Sequence, residues 1–343
     1  MSALTQLEQI RHTIAAEPDA IAVARTRLTD ALAAAKTFPG ALRTFRSGSL
    51  ATKFVNDPVE DGDGGVVMDR RSQPGLGPEG RGELPQHLVE ALRRHLRPLL
   101  VSQYPSLRID IMKRGLLLHF GAPLASGEDP TVDLVVALNR IEDDALWIPN
   151  LDRNRWDPSH PVKHVTLFTS GWDSLRLSRQ YVVRVAKAQV KQFSSPAVCS
   201  FNIAALAWEC TITAEPLDHS LYRFYDYAAT ELAQGLTEDP AGISEPIRVV
   251  DRQLAVDRFR RTADAIGLAI DAAGDDEKVA ELLAAFGVFW KLLPQLEGSS
   301  TSAIHQAIAT AGPLSVGEAG SLVTGRHASA PLVKPTRSYG ARP

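Results

Sequence analysis

Apolar residues at helical spacing open the chain. Leu4, Leu7, Ile10 and Ile14 share one face, Pro18 interrupts, and Ile21, Ala24, Leu28 and Leu32 resume the stripe. This predicts helix over the first 37 residues, stopped by Phe38-Pro39-Gly40. A short polar segment over 44–49 leads into a Gly/Asp-rich stretch, where Val66-Val67-Met68 reads as a buried strand. Residues 72–84 are loop by composition. A helix is predicted over 85–103, with Pro85 in its first turn and Leu88, Leu92, Leu96, Leu99 and Leu100 on one side. Strands are predicted over 107–113, 115–120 and 131–138, with Lys113-Arg114-Gly115 as a tight connection between the first two. From residue 159 to about 310 the pattern is almost wholly helical, and the end of the chain carries Pro, Gly, Ser and Arg without periodicity. The expected architecture is α+β, with a small mixed sheet flanked by helices in 1–158, a helical part in 159–312 and a flexible tail in 313–343.

Composition narrows the classes. The 343 residues are 44% apolar and 22% charged, which is the profile of a globular protein. A net charge of −3 argues against a protein that coats duplex nucleic acid, though not against a local basic pocket. The two cysteines, Cys199 and Cys210, cannot build a disulfide framework or a zinc cage. His160 and His164 lack the glutamate of a zincin motif. No run approaches a membrane span, so no membrane partner is expected, and a reducing cytoplasm is the expected address.

The distinctive chemistry lies in Arg46-Ser-Gly-Ser-Leu-Ala-Thr-Lys-Phe and Glu60-Asp-Gly-Asp-Gly-Gly-Val-Val-Met. Asp61 and Asp63 lie two apart, so on a strand both carboxylates project to one face. Their repulsion costs stability unless a cation sits between them, and oxygen-only ligands suit Mg²⁺ or Mn²⁺. Asp133 lies in the otherwise apolar 131–138 strand, where a carboxylate must be paired or bind something cationic. Three carboxylates on adjacent strands can hold two such ions. Gly48 allows close backbone approach, and Ser49 with the following amides can hold phosphate oxygens. Each element has a bland alternative: an acidic turn, or a satisfied structural aspartate. Their order is the specific signal. The literal G-x-G-x-x-G over Gly75–Gly80 is set aside, because no βαβ unit surrounds it.

The Gly-Ser turn, the paired carboxylates and the later third one resemble the polymerase-β-type nucleotidyltransferase superfamily. Asp61-Gly-Asp-Gly-Gly-Val-Val is similar to the active-site strand of its cGAS/DncV-like bacterial branch, the CD-NTases, although Gly62 stands where that family commonly has a branched apolar residue. Trp156-Asp-Pro-Ser-His-Pro-Val-Lys-His resembles the segment joining their catalytic core to the helical half. Tyr181-Val-Val-Arg-Val-Ala-Lys-Ala is similar to their Arg-x-x-Lys helix, and Cys199-Ser-Phe-Asn to a serine-aromatic helix start. The resemblance covers about residues 40–300 and implies a polymerase-β-like core with a long N-terminal helix.

Independently, Arg184, Lys187 and Lys191 recur at steps of three and four and form one basic stripe, which is either a phosphate-binding face or a solvated one. The resemblance implies that Arg184, Lys187 and Ser200 belong to the nucleotide site and that Phe201 stacks the donor base; the bland reading of Phe201 is core packing. It further implies a synthase that makes a cyclic di- or oligonucleotide messenger from ATP, GTP or other nucleoside triphosphates. Asp61, Asp63 and Asp133 would hold two Mg²⁺ or Mn²⁺ ions, and the setting would be bacterial anti-phage (CBASS) signalling through a nucleotide-activated downstream effector. No zinc-bearing insertion is present, so no DNA activator is implied. The alternatives are a nucleotidyltransferase acting on an RNA 3′ end or a protein, and an inactive nucleotide-binding homologue.

Overall fold

The structure is a computed structural model, and it describes residues 2–78 and 80–293 together with the strands Leu314–Val316 and Leu322–Thr324. Apart from those two short strands, the expected tail and the helical reading beyond residue 293 lie outside the described residues. The first predicted helix is two, α1 (Ala3–Thr13) and α2 (Pro18–Lys36), parted at Pro18, which takes the first helical position, where its missing N–H is harmless. The polar segment before Gly48 is a strand, β1 (Ala41–Ser47), rather than a connector. The short α3 (Gly48–Thr52) leads to β2 (Asp61–Met68). Helix α4 (Pro85–Leu100) ends before Gln103, and Leu99 faces solvent while Leu88, Leu92 and Leu96 are buried.

Strands β3 (Arg108–Met112), β4 (Gly115–His119) and β5 (Thr131–Asn139) fall within about a residue of their expected ranges. Two strands were not legible in the pattern, β6 (Leu146–Asn150) and β7 (Arg155–Ser159); each carries a proline, which alternation rules read as a break. The sheet order is β1-β2-β5-β4-β3, with β6 pairing the end of β5 and β7 pairing β6. Only β2 and β5 run parallel within it. The remainder is helical: α5 (Pro161–Phe168), α6 (Asp173–Lys191), α7 (Ser200–Cys210), α8 (Leu217–Gln234), α9 (Arg252–Asp271) and α10 (Asp276–Ala284).

Two large apolar cores result, beside two small clusters. Leu28, Leu32, Leu92 and Leu96 from α2 and α4 pack on Val66, Val132, Leu134 and Val136 of the sheet. The stripe of α1 does not join them. Leu7, Ile10 and Ile14 pack with Val182, Val183, Leu221 and Phe259, so α1 belongs by its packing to the helical core rather than to residues 18–158. Buried Arg27 ties α2 to the segment entering β5, donating to Asp129 Oδ1 at 2.7 Å, to Pro130 O at 2.6 Å and to Ala122 O at 2.5 Å. That many acceptors is what a buried guanidinium requires.

Gly62 shows why this chain departs from the branched residue expected between the two aspartates. A Cβ there would lie 3.3 Å from Leu28 Cβ and from Leu50 Cδ1, and 3.4 Å from the Ala24 carbonyl oxygen. Helix α2 rests directly on the strand at this point. Gly62→Val should therefore wedge α2 away and cost about 1–3 kcal/mol of unfolding free energy in urea titration. Stability equal to wild type would show that α2 yields without cost.

Candidate active site

The register of three strands assembles the acidic row. Asp63 pairs across the parallel ladder with Asp133, and Asp61 with Thr131. On the other side Ser47 of β1 pairs with Asp63, which brings the following turn over that carboxylate. Gly48 makes this approach possible: its φ is +63°, and a Cβ there would lie 1.7 Å from Asp63 Oδ2. The Ser49 backbone N–H donates to Asp63. Thr52 Oγ1 closes the turn by donating to the Gly48 carbonyl at 2.9 Å.

The opposite wall comes from the helical part. Lys187 of α6 reaches the Phe54 carbonyl with Nζ at 2.9 Å, and Lys191 pairs with Glu60 at 2.7 Å. Ser200 and Phe201 open α7. Phe201 meets His164 and Phe168 at centroid distances of 4.9 and 5.8 Å, forming an aromatic end to the cleft. The cleft has a volume of about 360 Å³ and is lined by Gly48, Ser49, Asp61, Asp63, Lys187, Ser200 and Phe201 of the expected residues. Asp133 stands one strand further in, beside Asp63.

Arg184 is the exception. Its Nε donates to Asn56 Oδ1 at 3.1 Å and its Nη2 to the Ile14 carbonyl at 3.3 Å, while Asn56 Nδ2 donates back to the Arg184 carbonyl at 2.8 Å. The stripe is real, but Arg184 lies under the α1–α2 corner, so its guanidinium braces the 53–60 segment and does not line the cleft. Residues not assigned to the site from the sequence also shape the space: Lys191, Phe54, Phe168 and His164. Lys191 was visible in the stripe. His164 was not, because its partner Asp239 lies 75 positions away.

The electrostatics follow from crowding. Burial, then repulsion from Asp61 and Asp133, pushes the Asp63 carboxyl up to about 8, against the pull of Lys187 and the Ser49 amide. Burial and Asp61 push Asp133 to about 6. Asp61 is raised by burial and by Glu60. Lys187 is pushed down to about 8 by burial and by Lys191, despite the carboxylates facing it. Asp133 Oδ1 is buried with no hydrogen-bond partner. An orphaned acceptor beside two repelling carboxylates fits a divalent cation. Among the described residues, however, no three His, Cys, Asp or Glu side chains form a ready-made cage. The row is an open carboxylate edge, of the kind Mg²⁺ occupies together with phosphate oxygens and water.

No protein-family model and no curated protein sequence matches the chain. Among solved structures it is similar to the Bradyrhizobium diazoefficiens CD-NTase CdnG in complex with GTP, at 12% identity over 80% of this chain and 92% of that one, with a TM-score of 0.59. It is similar to E. coli MS115-1 CdnC with ATP, at 15% identity over 86% and 99%, with a TM-score of 0.61. It is also similar to the Vibrio cholerae DncV cyclic AMP-GMP synthase, at 16% identity over 71% and 68%, with a TM-score of 0.53. The chain thus has the α+β fold of the CD-NTases.

The raised Asp63 pKa fixes the sign of a pH effect. Folded Asp63 keeps its proton up to about pH 8, whereas the unfolded chain loses it near the ordinary 3.8, so the apo protein loses stability as pH rises between those values. Lys187 is charged in both states below about pH 8 and does not contribute in that window. Asp63→Asn should raise the apo melting temperature at about pH 8, relative to its effect at about pH 5. It should also remove any stabilisation by Mg²⁺ or Mn²⁺, read by differential scanning calorimetry. A variant that melts well below wild type at both pH values would make Asp63 a structural residue.

Proposed function

We propose that the chain is a metal-dependent nucleotidyltransferase that makes a cyclic di- or oligonucleotide from nucleoside triphosphates. The observation that carries this reading is the arrangement around one cleft of Asp61, Asp63, the Gly48-Ser49 turn and Lys187, with Asp133 beside Asp63 on the next strand and an aromatic end to the space. The nucleotides held by CdnG and CdnC, and the synthase activity named for DncV, support the same substrates. The cellular setting we propose is anti-phage signalling in the cytoplasm, upstream of a nucleotide-activated effector. Among the described residues no helix is long and apolar enough to cross a membrane.

The chain's own groups divide the work. Divalent cations held by Asp61, Asp63 and Asp133 would supply Lewis-acid polarisation of phosphoryl oxygens. The Ser49 hydroxyl and neighbouring amides bind and orient phosphate oxygens, and the Lys187 ammonium neutralises the charge that grows on pyrophosphate. Phe201 stacks the donor base, and Ser200 reaches the terminal phosphate. Asp133 accepts the proton of the acceptor hydroxyl; that oxygen bonds to the α-phosphorus, and the bond from phosphorus to pyrophosphate breaks. A second transfer within the linear product closes the ring. An inactive homologue is disfavoured, because it would bear the cost of crowding three carboxylates together with no cation or reaction to use them.

Incubation with the four α-³²P-labelled nucleoside triphosphates and Mg²⁺ or Mn²⁺ should give a phosphatase-resistant product that nuclease mapping resolves as a ring. Lys187→Ala should raise KM for the triphosphate about tenfold or more, with a near-native melting temperature. Label appearing on added RNA or on a polypeptide instead of a small product would replace cyclisation with transfer to a macromolecule.

A further inference from the structure

A histidine stands at the aromatic end of the cleft. Pro161, Val165, Phe168, Phe201 and Ala204 line it, and His164 stands among them. His164 Nε2 lies 2.5 Å from Asp239 Oδ1. Asp239 is buried and accepts backbone N–H groups from Ala241, Ile243 and Ser244 at 3.3, 3.0 and 2.8 Å. Burial acts to raise its pKa, but the Ser244 and Ile243 amides and His164 outweigh burial and hold the carboxyl below its ordinary range. The partner of Nε2 is therefore an ionised, acceptor-only group.

The tautomer follows. An acceptor-only partner makes Nε2 the donor, and in a neutral imidazole the other nitrogen, Nδ1, is then an acceptor. Burial holds His164 below the ordinary imidazole value despite the pull of Asp239, Lys163 and His160 acting in the same direction as burial, so the neutral ring is the form present at neutral pH. Among the described residues the ring's hydrogen-bond partner is Asp239, engaged through Nε2. His164 lines the cleft, and Nδ1 is the ring nitrogen that the Asp239 contact leaves unused. A histidine serving only to pin Asp239 needs one ring nitrogen. The second nitrogen is then available to accept from a ligand that enters the cleft.

We infer that His164 Nδ1 reads the edge of a nucleobase, accepting an N–H from the base that enters the apolar end of the cleft. This assigns His164 as a specificity residue and Asp239 as the positioning residue that fixes its tautomer, and it rests on the nucleotide reading above. Stacking on Phe201 tolerates any base, whereas a directed acceptor requires a base that carries a donor.

The test compares ATP with purine riboside triphosphate, which keeps the purine ring but has no N–H on its base. Dissociation constants are measured by calorimetry with Mg²⁺ for wild type, His164→Phe and the double variant His164→Phe/Asp239→Asn, which also removes the carboxylate left without its imidazole. Wild type should bind ATP about fivefold to tenfold more tightly than the analogue. Both variants keep a ring at this position and should bind the two ligands within about twofold of each other. Equal binding of both by wild type, or a preference that survives in either folded variant, overturns the role of His164 and leaves the nucleotide reading standing. Wild type binding neither triphosphate overturns both.

Discussion

Like-charge crowding at the start of β2 organises this protein. Asp63 is flanked by Asp61 two residues earlier and by Asp133 directly across the parallel ladder, and burial intensifies the repulsion. Several other features exist to permit or relieve that crowding. Gly48 lets a turn descend onto Asp63 where any side chain would collide with its carboxylate. Gly62 lets α2 back the strand closely. Lys187 faces the acidic row across the cleft, where burial and Lys191 depress its pKa although the carboxylates pull the other way. Each arrangement is unfavourable taken alone, which is the usual mark of a functional site in an otherwise well-packed fold.

The two cores are joined by polar contacts that converge on the segment between α3 and β2. Lys187 holds the Phe54 carbonyl, Arg184 and Asn56 bind each other, and Lys191 pairs with Glu60. On the far side of the cleft, His164–Asp239 and the bond from Lys163 Nζ to the Ala241 carbonyl fix α5 to the loop after α8. Side chains of α6 tie the helical part to the 53–60 segment, and side chains of α5 tie it to the loop after α8. The acidic row belongs to the sheet and the cations to the helices, so the geometry of the site depends on how these two parts are tied.

Much of this was legible because it depends on short-range rules. Period-two alternation put Asp61 and Asp63 on one face, the apolar run placed Asp133 inside a strand, and the helical stripe put Lys187 and Lys191 together. What escaped depends on distant partners. The segment ALRTFRS of β1 alternates weakly and is largely exposed, so only its pairing with β2 reveals a strand. Pro149 and Pro158 concealed β6 and β7. Arg184 shares a stripe with Lys187, but spacing cannot tell which neighbour receives a guanidinium. The apolar face of α1 was plain; that it packs on helices beyond residue 180 instead of on the sheet was not.

The central claim is that the three carboxylates form an open cation edge that a bound triphosphate completes. Its most direct test is a titration of Mn²⁺ into the protein, with and without a non-hydrolysable triphosphate analogue, followed by electron paramagnetic resonance. Mn²⁺ should bind at least about tenfold more tightly when the analogue is present, because its phosphate oxygens supply ligands the chain lacks, and Asp133→Asn should weaken that binding. Mn²⁺ affinity indifferent both to the analogue and to Asp133→Asn would contradict the account.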